Sequence, residues 1–227
     1  MIRTLDIILS GLALLALSPL LLPLTVILKF SGEGEVFFAQ SRVGRGGECF
    51  RLYKFATMLK DSPNIGSGTV TLKDDPRVLP MGKFLRATKI NELPQLLNVI
   101  LGDMSLIGPR PQTRRCFDAF SDEAQIDIKK VRPGLSGVGS IVFRNEEDML
   151  LAHTETNQFY DKVIMRYKGD LESWYVRNNT VSLYFVLIVL TALVTFTRST
   201  RIIYKCYASL PKPPSSLKPF IASDNYE

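Results

Sequence analysis

The chain has 227 residues, of which 46% are hydrophobic, and its 28 Lys and Arg against 22 Asp and Glu give a net charge of +6. A mean hydropathy of +0.10 is high for a soluble protein, and the positive charge favours an anionic partner: lipid head groups, nucleotide phosphates or nucleic acid. One His and three widely spaced Cys argue against a His-based metal site, a Ser-His-Asp triad and a disulfide framework. The same cysteine usage predicts a reducing compartment.

The first apolar run, residues 7–28, reads IILSGLALLALSPLLLPLTVIL and is long enough to cross a bilayer. Proline lacks a backbone donor and clashes with the preceding turn, so we expect a kink at Ser18-Pro19 and Pro23, with the Ser18 hydroxyl satisfying a freed carbonyl. Two shapes fit this run: a kinked span, or a helix–break–helix that dips into the bilayer and returns. Basic residues follow the run and therefore predict a cytoplasmic body.

In the body, residues 36–40 and 49–55 are predicted strands of a hairpin, joined by the glycine-containing stretch SRVGRGGE. We expect Arg42, Arg45 and Lys54 near one end of that hairpin.

Helices are predicted from a start between Asn91 and Pro94, over Ser121 to Lys130 with Ser121 as the cap, and over Glu146 to Tyr167. The fold class expected is α+β and mostly helical, with a small β-hairpin and a helical body that carries interfacial amphipathic helices.

The second apolar run, residues 181–196, is short for a span and predicts a helix that lies in the interface or packs against the first segment. The Pro- and Ser-rich end of the chain predicts disorder. The expected organisation is a membrane helix over 1–30, a cytoplasmic domain over 31–178, a membrane-associated helix over 179–206 and a disordered tail over 207–227.

The candidate site centres on Glu92, at the predicted start of a helix, where the helix dipole favours both an ionised carboxylate and a phosphate. One such Glu can hold Mg²⁺ with substrate phosphates completing the shell. Pro109 and Pro111 fix the backbone of Arg110, whose guanidinium is a bidentate phosphate ligand. The stretch Asp74-Asp75-Pro76-Arg77 adds a second acid–base cluster. A single Glu such as Glu92 is more often a helix-cap partner than a ligand, and a single Arg such as Arg110 is more often a surface residue. Taken together, these residues indicate phosphoryl transfer.

A series of motifs follows the proline-broken amino terminus in this order: VFFAQSRVG, FRLYKFATM, DDPRVLPMGKFLRATKINELPQLLNVILGDMSLIGPRP, KVRPGLSGVG, FRNEED and ESWYVRNN. The series resembles the bacterial sugar transferase family, the monotopic phosphoglycosyl transferases, over roughly residues 1–197. The resemblance implies transfer of a sugar-1-phosphate from a UDP-sugar to undecaprenyl (polyprenol) phosphate with release of UMP. It also implies a role in starting O-antigen (lipopolysaccharide), capsule or exopolysaccharide synthesis.

The resemblance further implies a re-entrant helix broken at Ser18-Pro19 and an active site on the cytoplasmic face of the inner membrane. The family's catalytic pair is Asp-Glu before Leu-Pro, in which Asp attacks the β-phosphate and Glu binds Mg²⁺. Here the pair is Asn91-Glu92. Glu92 carries over as the Mg²⁺ ligand, but Asn91 has no charged oxygen and does not carry over as the nucleophile.

Three readings of this departure stay open. In the first, Glu92 is the nucleophile and the metal is held partly by substrate and by another acid such as Asp75. In the second, the lipid phosphate attacks directly and Asn91 orients it. In the third, Asn91 disables turnover.

The resemblance assigns phosphate-binding or site-lining roles to a set of basic and rigid residues: Arg110 with Pro109 and Pro111, Arg42, Lys54, Arg77, Arg86 and Arg144. Glu172 falls near a motif position of the family. Ala56, Val186 and Ile188 stand where commoner members carry Arg, Asp and Lys. The resemblance therefore does not assign the transferred sugar.

Two other functions fit parts of the sequence. One is a catalytically impaired family member that binds UDP-sugar or polyprenol phosphate and scaffolds a glycan assembly complex. The other is a basic peripheral membrane or nucleic-acid-binding protein. The absence of a DNA or RNA motif, and of aromatic residues interleaved with basic ones, argues against nucleic acid. We interpret His153 as structural or exposed, and a homo-oligomer is left open.

Overall fold

The computed structural model describes residues 1–65, 75–144, 146, 149, 156–197 and 199–221. The chain forms two compact units, Met1–Ser41 with Arg51–Gly102, and Arg42–Phe50 with Asp103–Glu227. Its helices and two small two-stranded sheets confirm the predicted α+β, mostly helical class. Asp74 and His153, which the sequence analysis singled out, lie outside the described residues.

The first unit begins with helix α1, Ile2–Lys29, which runs unbroken through Ser18, Pro19 and Pro23. Pro19 has no N–H to donate to the carbonyl of Leu15, and the Ser18 hydroxyl donates to that carbonyl at 2.8 Å. The predicted role of the Ser18 hydroxyl is confirmed. The expected break into two helices is absent, because the helix continues on both sides of the prolines.

Both ends of α1 pack within this first unit. At the amino-terminal end, the Arg3 guanidinium donates to the carbonyls of Val99 and Ile100 at the end of helix α3, Gln95–Leu101. A cation is favoured at that position because the helix dipole is negative there. At its other end, α1 contributes to a buried apolar cluster whose members are Leu24, Leu28, Phe55 and Leu85.

The rest of the apolar surface of α1 is largely exposed, including Leu12, Leu15 and Leu22. Among the described residues, α1 is the one helix long and apolar enough to cross a membrane by length and composition. In its apolar stretch of 18 residues, 11% is buried. Its 28 residues extend about 42 Å at 1.5 Å per residue. An apolar surface of this size is compatible with membrane association.

Strands β1, Phe37–Val43, and β2, Cys49–Phe55, form the predicted hairpin. Its turn places Gly46 and Gly47 at φ of 74° and 83°, a left-handed conformation that glycine adopts without steric cost. The turn glycines identified in the sequence are therefore the reason that the hairpin closes here.

Helix α2, Pro80–Ala87, completes the first unit and begins at a proline, whose fixed φ suits a first helical turn. A Cβ added at Gly82 would lie 2.1 Å from the carbonyl oxygen of Thr57. Helix α2 therefore packs directly on the backbone that follows β2.

The second unit contains a parallel pair of strands that the sequence analysis did not predict. Strand β3, Ser105–Ile107, pairs with strand β4, Gly134–Ser136, with Ser105 opposite Gly134 and Ile107 opposite Ser136. Each strand has three residues, which is too short for a periodic sequence signal.

Two short helices lie between these strands in the chain, α4, Arg114–Asp118, and α5, Asp122–Ile128. The Thr113 and Ser121 hydroxyls cap them by accepting from backbone N–H groups two residues into each helix, both at 3.3 Å. The predicted cap at Ser121 is confirmed.

The described part of the chain after β4 contains α6, Val138–Val142; α7, Thr156–Phe159; a π-helical segment, Tyr160–Ile164; α8, Met165–Arg177; and α9, Val181–Thr197. Helix α8 packs against α5 and α6. Of the predicted helix over 146–167, residues 147, 148 and 150–155 lie outside the described residues. From Thr156 on the segment is helical, and it continues beyond Tyr167 to Arg177.

Helix α9 corresponds to the second apolar run and packs against α6 and the β3–β4 sheet. Leu183, Leu187 and Leu190 are buried, whereas Phe185 and Val189 are exposed. One side of this helix therefore belongs to the core of the second unit.

The end of the chain folds back onto the second unit through helices α10, Ile202–Cys206, and α11, Lys218–Ile221. Leu210 and Leu217 are buried, and the Tyr167 hydroxyl donates to the carbonyl of Pro211 at 2.7 Å. The structure thus differs from the predicted disorder over 207–221, because apolar side chains spaced along this Pro-rich segment are buried.

Candidate active site

The Asn91-Glu92 pair lies in a single 3₁₀ turn, Ile90–Glu92, which precedes α3. Helix α3 begins at Gln95, with Pro94 in the N-cap position, so it starts directly after the predicted range of Asn91 to Pro94. Because α3 has seven residues and Glu92 lies before it, the helix dipole contributes little at this carboxylate.

Glu92 forms a salt bridge with Lys54, with Nζ and Oε1 3.3 Å apart. The two side chains are 15% and 20% exposed, so the pair is largely removed from solvent. Two of the predicted site residues are therefore brought together. Lys54 lies toward the carboxyl end of β2, whereas Arg42 and Arg45 adjoin the hairpin turn, so the expectation that all three lie near one end is wrong.

Asn91 is 6% exposed, and its Oδ1 has no hydrogen-bond partner among the described residues. The Nε2 atom of Gln95, one turn further on, is also buried without a partner in that part of the chain. An unpaired buried polar atom costs roughly 1–3 kcal/mol, and proteins rarely leave one without a functional or structural reason. These two amides, close to Glu92 in the chain, indicate a place where a ligand supplies hydrogen bonds.

Arg77 is buried and held by protein groups. It is 3% exposed, and its guanidinium donates to both carboxylate oxygens of Asp75 and to the carbonyls of Ser62 and Ile65. The hydrogen bond to Asp75 raises the pKa of Arg77 further above its usual range. The Asp75–Arg77 pair therefore has a structural role. Both carboxylate oxygens of Asp75, the acid considered as a further metal ligand, accept hydrogen bonds from Arg77.

Two further arginines make local contacts. Arg86, on α2, has its Nη1 3.8 Å from the sulfur of Met58. Arg144 donates to the carbonyl of Thr195 at 3.2 Å, near the end of α9. Neither contact tests the predicted phosphate-binding role of these arginines. Arg144 contacts the carboxyl end of α9, where the negative end of the helix dipole favours a cation.

In the second unit, residues 108–111 directly follow β3 and are held by β4. The N–H of Gly108 donates to the carbonyl of Ser136 at 2.9 Å, and the N–H of Gly134 donates to the carbonyl of Pro109 at 2.8 Å. Pro109 and Pro111 are buried, whereas Arg110 between them is half-buried. The backbone of this loop is therefore fixed, as the two prolines predicted.

Glycines allow this loop and β4 to approach each other. A Cβ at Gly134 would lie 2.1 Å from the Gly108 nitrogen, and one at Gly137 would lie 2.1 Å from the Gly108 oxygen. No side chain fits at these distances. The motifs GPRP and GLSGVG, which are separate in the sequence, thus form one structural element.

Arg42 also reaches this loop, since its Nη1 lies 3.4 Å from the carbonyl oxygen of Pro111. The next residue, Val43, donates its N–H to the carbonyl of Gln112 at 2.9 Å. The end of β1 is thereby joined to the loop, and Arg42 and Arg110 belong to the same part of the second unit.

The N–H of Arg110 donates to Oε1 of Glu172, on α8, at 3.1 Å. Sequence reasoning placed Glu172 near a motif but gave it no role. The two residues are 62 positions apart, and no local pattern links them. The structure therefore divides the predicted residues between the units: Asn91, Glu92 and Lys54 in the first, and Arg42, Pro109, Arg110 and Pro111 in the second.

Three features suit a phosphorylated ligand: a carboxylate paired with lysine, two nearby amides that each have one atom without a partner among the described residues, and an arginine fixed between prolines. The chain belongs to the bacterial sugar transferase family, which it matches over residues 1–198. The expected family is confirmed.

Relatives with known names include the exopolysaccharide production protein ExoY of Sinorhizobium fredii, 37% identical over 63% of this chain and 70% of the relative. A UDP-N-acetylgalactosamine-undecaprenyl-phosphate N-acetylgalactosaminephosphotransferase of Aeromonas hydrophila is 42% identical over 62% of this chain and 33% of the relative. A UDP-glucose:undecaprenyl-phosphate glucose-1-phosphate transferase of Escherichia coli is 35% identical over 86% and 40%. The chain thus spans less than half of the two relatives whose names describe a reaction.

Proposed function

We propose that the protein transfers a sugar-1-phosphate from a UDP-sugar to undecaprenyl phosphate and releases UMP, as the first membrane step of O-antigen, capsule or exopolysaccharide synthesis. The observation that carries this proposal is the Lys54–Glu92 pair, next to Asn91 in the chain, whose buried Oδ1 has no hydrogen-bond partner among the described residues. The names of the Aeromonas and Escherichia relatives support it, since both describe transfer to undecaprenyl phosphate. The alternative of an impaired scaffolding member has no such support.

Arg110 is the residue that we assign to the donor diphosphate. Its backbone is held on both sides, so little entropy is lost when its guanidinium binds phosphate. Arg42 contacts the same loop and adds positive charge there. Lys54 supplies positive charge at Glu92.

Replacing Arg110 with Ala is expected to lower UMP release by about a hundredfold or more, because a charge-assisted phosphate contact made by a fixed arginine is lost. The protein should still partition to membranes and unfold at the wild-type temperature, since the backbone contacts of the loop remain. Arg45→Ala, at the exposed hairpin turn, is the matched control and should retain wild-type rates. Near wild-type turnover by the Arg110 variant would make this residue part of the scaffold.

We propose Mg²⁺ as the cofactor, with Glu92 as its protein ligand. The described residues contain no group of three or more Asp, Glu, Cys or His side chains that would hold a metal by themselves. A single carboxylate with substrate phosphates and water is nevertheless a common Mg²⁺ shell, and the unpaired Oδ1 of Asn91 is a second hard oxygen next to Glu92 in the chain. Bound there, Mg²⁺ would neutralise charge on the diphosphate.

Two chemical routes fit Asn91. In one, a Glu92 oxygen attacks the β-phosphorus of the UDP-sugar, the bond to UMP breaks, and the lipid phosphate then displaces Glu92. In the other, an oxygen of the lipid phosphate attacks the β-phosphorus directly while UMP leaves, and Asn91 orients the attacking group. Incubation with UDP-sugar but without lipid separates them: a stoichiometric burst of UMP with a sugar-phosphate mass on Glu92 identifies the first.

We propose that α1 dips into the cytoplasmic leaflet of the inner membrane, so that the chain lies on the cytoplasmic face. The packing of both ends of α1 within the first unit supports this arrangement, because Arg3 and Leu28 both contact that unit. A span would carry one of these contacts to the other side of the membrane.

A cysteine placed before residue 5, in a variant without the three native cysteines, is therefore expected to stay protected from an impermeant thiol reagent applied to intact cells. The same cysteine should react after permeabilisation, as should a control cysteine at Arg45. Labelling of the amino-terminal cysteine from outside would replace the dip with a span.

The central test incubates purified protein with Mg²⁺, undecaprenyl phosphate and a panel of UDP-sugars, and measures UMP. Release with one sugar is expected and would also name the donor. If no sugar gives UMP, Asn91→Asp in the same assay separates an untested donor from a site that lacks its nucleophile.

A further inference from the structure

The loop formed by residues 108–111 has few backbone donors, because Pro109 and Pro111 lack an N–H. Gly108 donates to Ser136 within the strand pairing. Between the two prolines, the N–H of Arg110 is the single backbone donor. It donates a hydrogen bond to Oε1 of Glu172 at 3.1 Å. The orientation of the Arg110 peptide therefore depends on this side chain of α8.

The position of Glu172 requires a glycine opposite it. A Cβ at Gly139 would lie 2.4 Å from Oε1 of Glu172, so any other residue there would displace the carboxylate. The backbone N–H of Gly139 donates to the same carboxylate. Helix α8 also holds the strand before the loop, because the Tyr175 hydroxyl donates to the carbonyl of Ile107 at 3.1 Å.

Glu172 is an unusual acid to retain at this depth. It is 2% exposed, and its Oε2 has no hydrogen-bond partner among the described residues. Burial raises the pKa of Glu172 to about 7, an effect opposed by the Arg110 N–H, by the charges of Lys168 and Arg110 and by the Gly139 N–H. Lys168 is itself paired with Glu146 and lies over the ring of Phe143.

We propose that Glu172 is a positioning residue for Arg110: its carboxylate holds the one N–H between the two prolines and so aims the Arg110 guanidinium at the donor phosphates. The role assigned to the guanidinium rests on the proposed function, whereas the effect on the loop does not. An apolar side chain of similar size would leave this N–H without its acceptor, and the loop would lose the contact that fixes its peptide plane.

The protonation state of Glu172 changes the strength of this contact. A carboxylate is a stronger acceptor than a carboxylic acid, so the loop is held more firmly above the pKa of Glu172 than below it. The charged groups that act on this carboxyl are Arg110 from the loop and Lys168 from α8. Activity should therefore rise with pH through about 7 if Glu172 governs it.

Two variants separate the contact from the titration. Glu172→Leu removes the acceptor, and Glu172→Gln keeps an acceptor oxygen but cannot titrate. Asp170→Asn, an exposed carboxylate on the same helix, is the matched control. Hydrogen–deuterium exchange measures this contact directly. Pro109 and Pro111 have no amide hydrogen, so the Arg110 amide is the one exchangeable amide in residues 109–111.

In Glu172→Leu, the Arg110 amide is expected to exchange roughly tenfold faster than in the wild type, and KM for the UDP-sugar should rise by about the same factor. In Glu172→Gln, protection and KM should stay near wild type while the inflection in kcat/KM near pH 7 disappears. Asp170→Asn should change neither quantity.

Wild-type exchange of the Arg110 amide in a folded Glu172→Leu protein would overturn the proposal, as would an inflection near pH 7 that persists in Glu172→Gln. If only the Asn91→Asp variant releases UMP, the proposed function of the wild-type protein fails. The exchange comparison, which needs no substrate, still decides whether Glu172 positions the loop.

Discussion

Replacing Glu92 with Gln is expected to abolish UMP release, by roughly three orders of magnitude, in the presence of Mg²⁺. The carboxylate is the group that the proposed reaction uses in either route, as metal ligand or as nucleophile, and an amide supplies neither a charge for the metal nor an oxygen able to attack phosphorus. The measurement is UMP released from a UDP-sugar with undecaprenyl phosphate as acceptor.

The fold should survive this change. Gln has the size of Glu and keeps an oxygen that can accept a hydrogen bond from Lys54, so the effect on stability is expected to be small compared with the effect on turnover. Glu48→Gln, at the exposed hairpin turn, is the matched carboxylate-to-amide control and should keep the wild-type rate. Substantial turnover by Glu92→Gln would remove Glu92 from the site and would leave the Lys54 pair as a structural contact.

Replacing Arg77 with Ala should destabilise the protein by about 3–5 kcal/mol, because it leaves the buried carboxylate of Asp75 without its partner. The carbonyls of Ser62 and Ile65 lose their donors as well. For a chain of this size, a loss of that magnitude lowers the midpoint of thermal unfolding by about 10 °C. Circular dichroism of the detergent-solubilised protein measures this shift.

Two comparisons make the Arg77 result specific. Arg86→Ala, which removes a long contact to the sulfur of Met58, should leave the midpoint within about 2 °C of wild type. A double variant with apolar residues at both Asp75 and Arg77 should recover part of the loss, since no charge is left buried. An Arg77→Ala protein with unchanged stability and reduced turnover would restore the original prediction that Arg77 lines the site.

Features with a local cause were predictable from the sequence. The hairpin follows from turn glycines between two short apolar strands, and the Ser121 cap from a hydroxyl placed before an acidic first turn. The contact of Ser18 with the Leu15 carbonyl follows from the donor that Pro19 lacks. In each case the cause lies within a few residues of the effect.

Features with a distant cause were missed. Strands β3 and β4 have three residues each and are stable only because the chain between them folds back. The family resemblance assigned Arg77 a phosphate-binding or site-lining role, but its guanidinium is buried and donates to the carbonyls of Ser62 and Ile65, which are distant in the chain. The burial of Leu217 likewise depends on tertiary packing.

The candidate site shows the same division. The chemical character of Glu92 and Arg110 could be recognised from their motifs and from the prolines around them. The pairing of Glu92 with Lys54, itself a predicted site residue, and that of Arg110 with Glu172 could not be predicted, because the partners are 38 and 62 residues away. Sequence patterns identify reactive groups more readily than the groups that orient them.

The close approach of Gly108 to Gly134 and Gly137 has an evolutionary consequence. The two glycine motifs are in backbone contact. A single-residue deletion in either motif would bring a residue with a side chain to a position where a Cβ lies 2.1 Å from a backbone atom of the other motif. The stretch between them carries α4 and α5 and buries Phe117, Phe120 and Ala124 in the core of the second unit. The spacing of the two motifs is therefore constrained by this packing as well as by the backbone contact, and the glycine motifs can change only together.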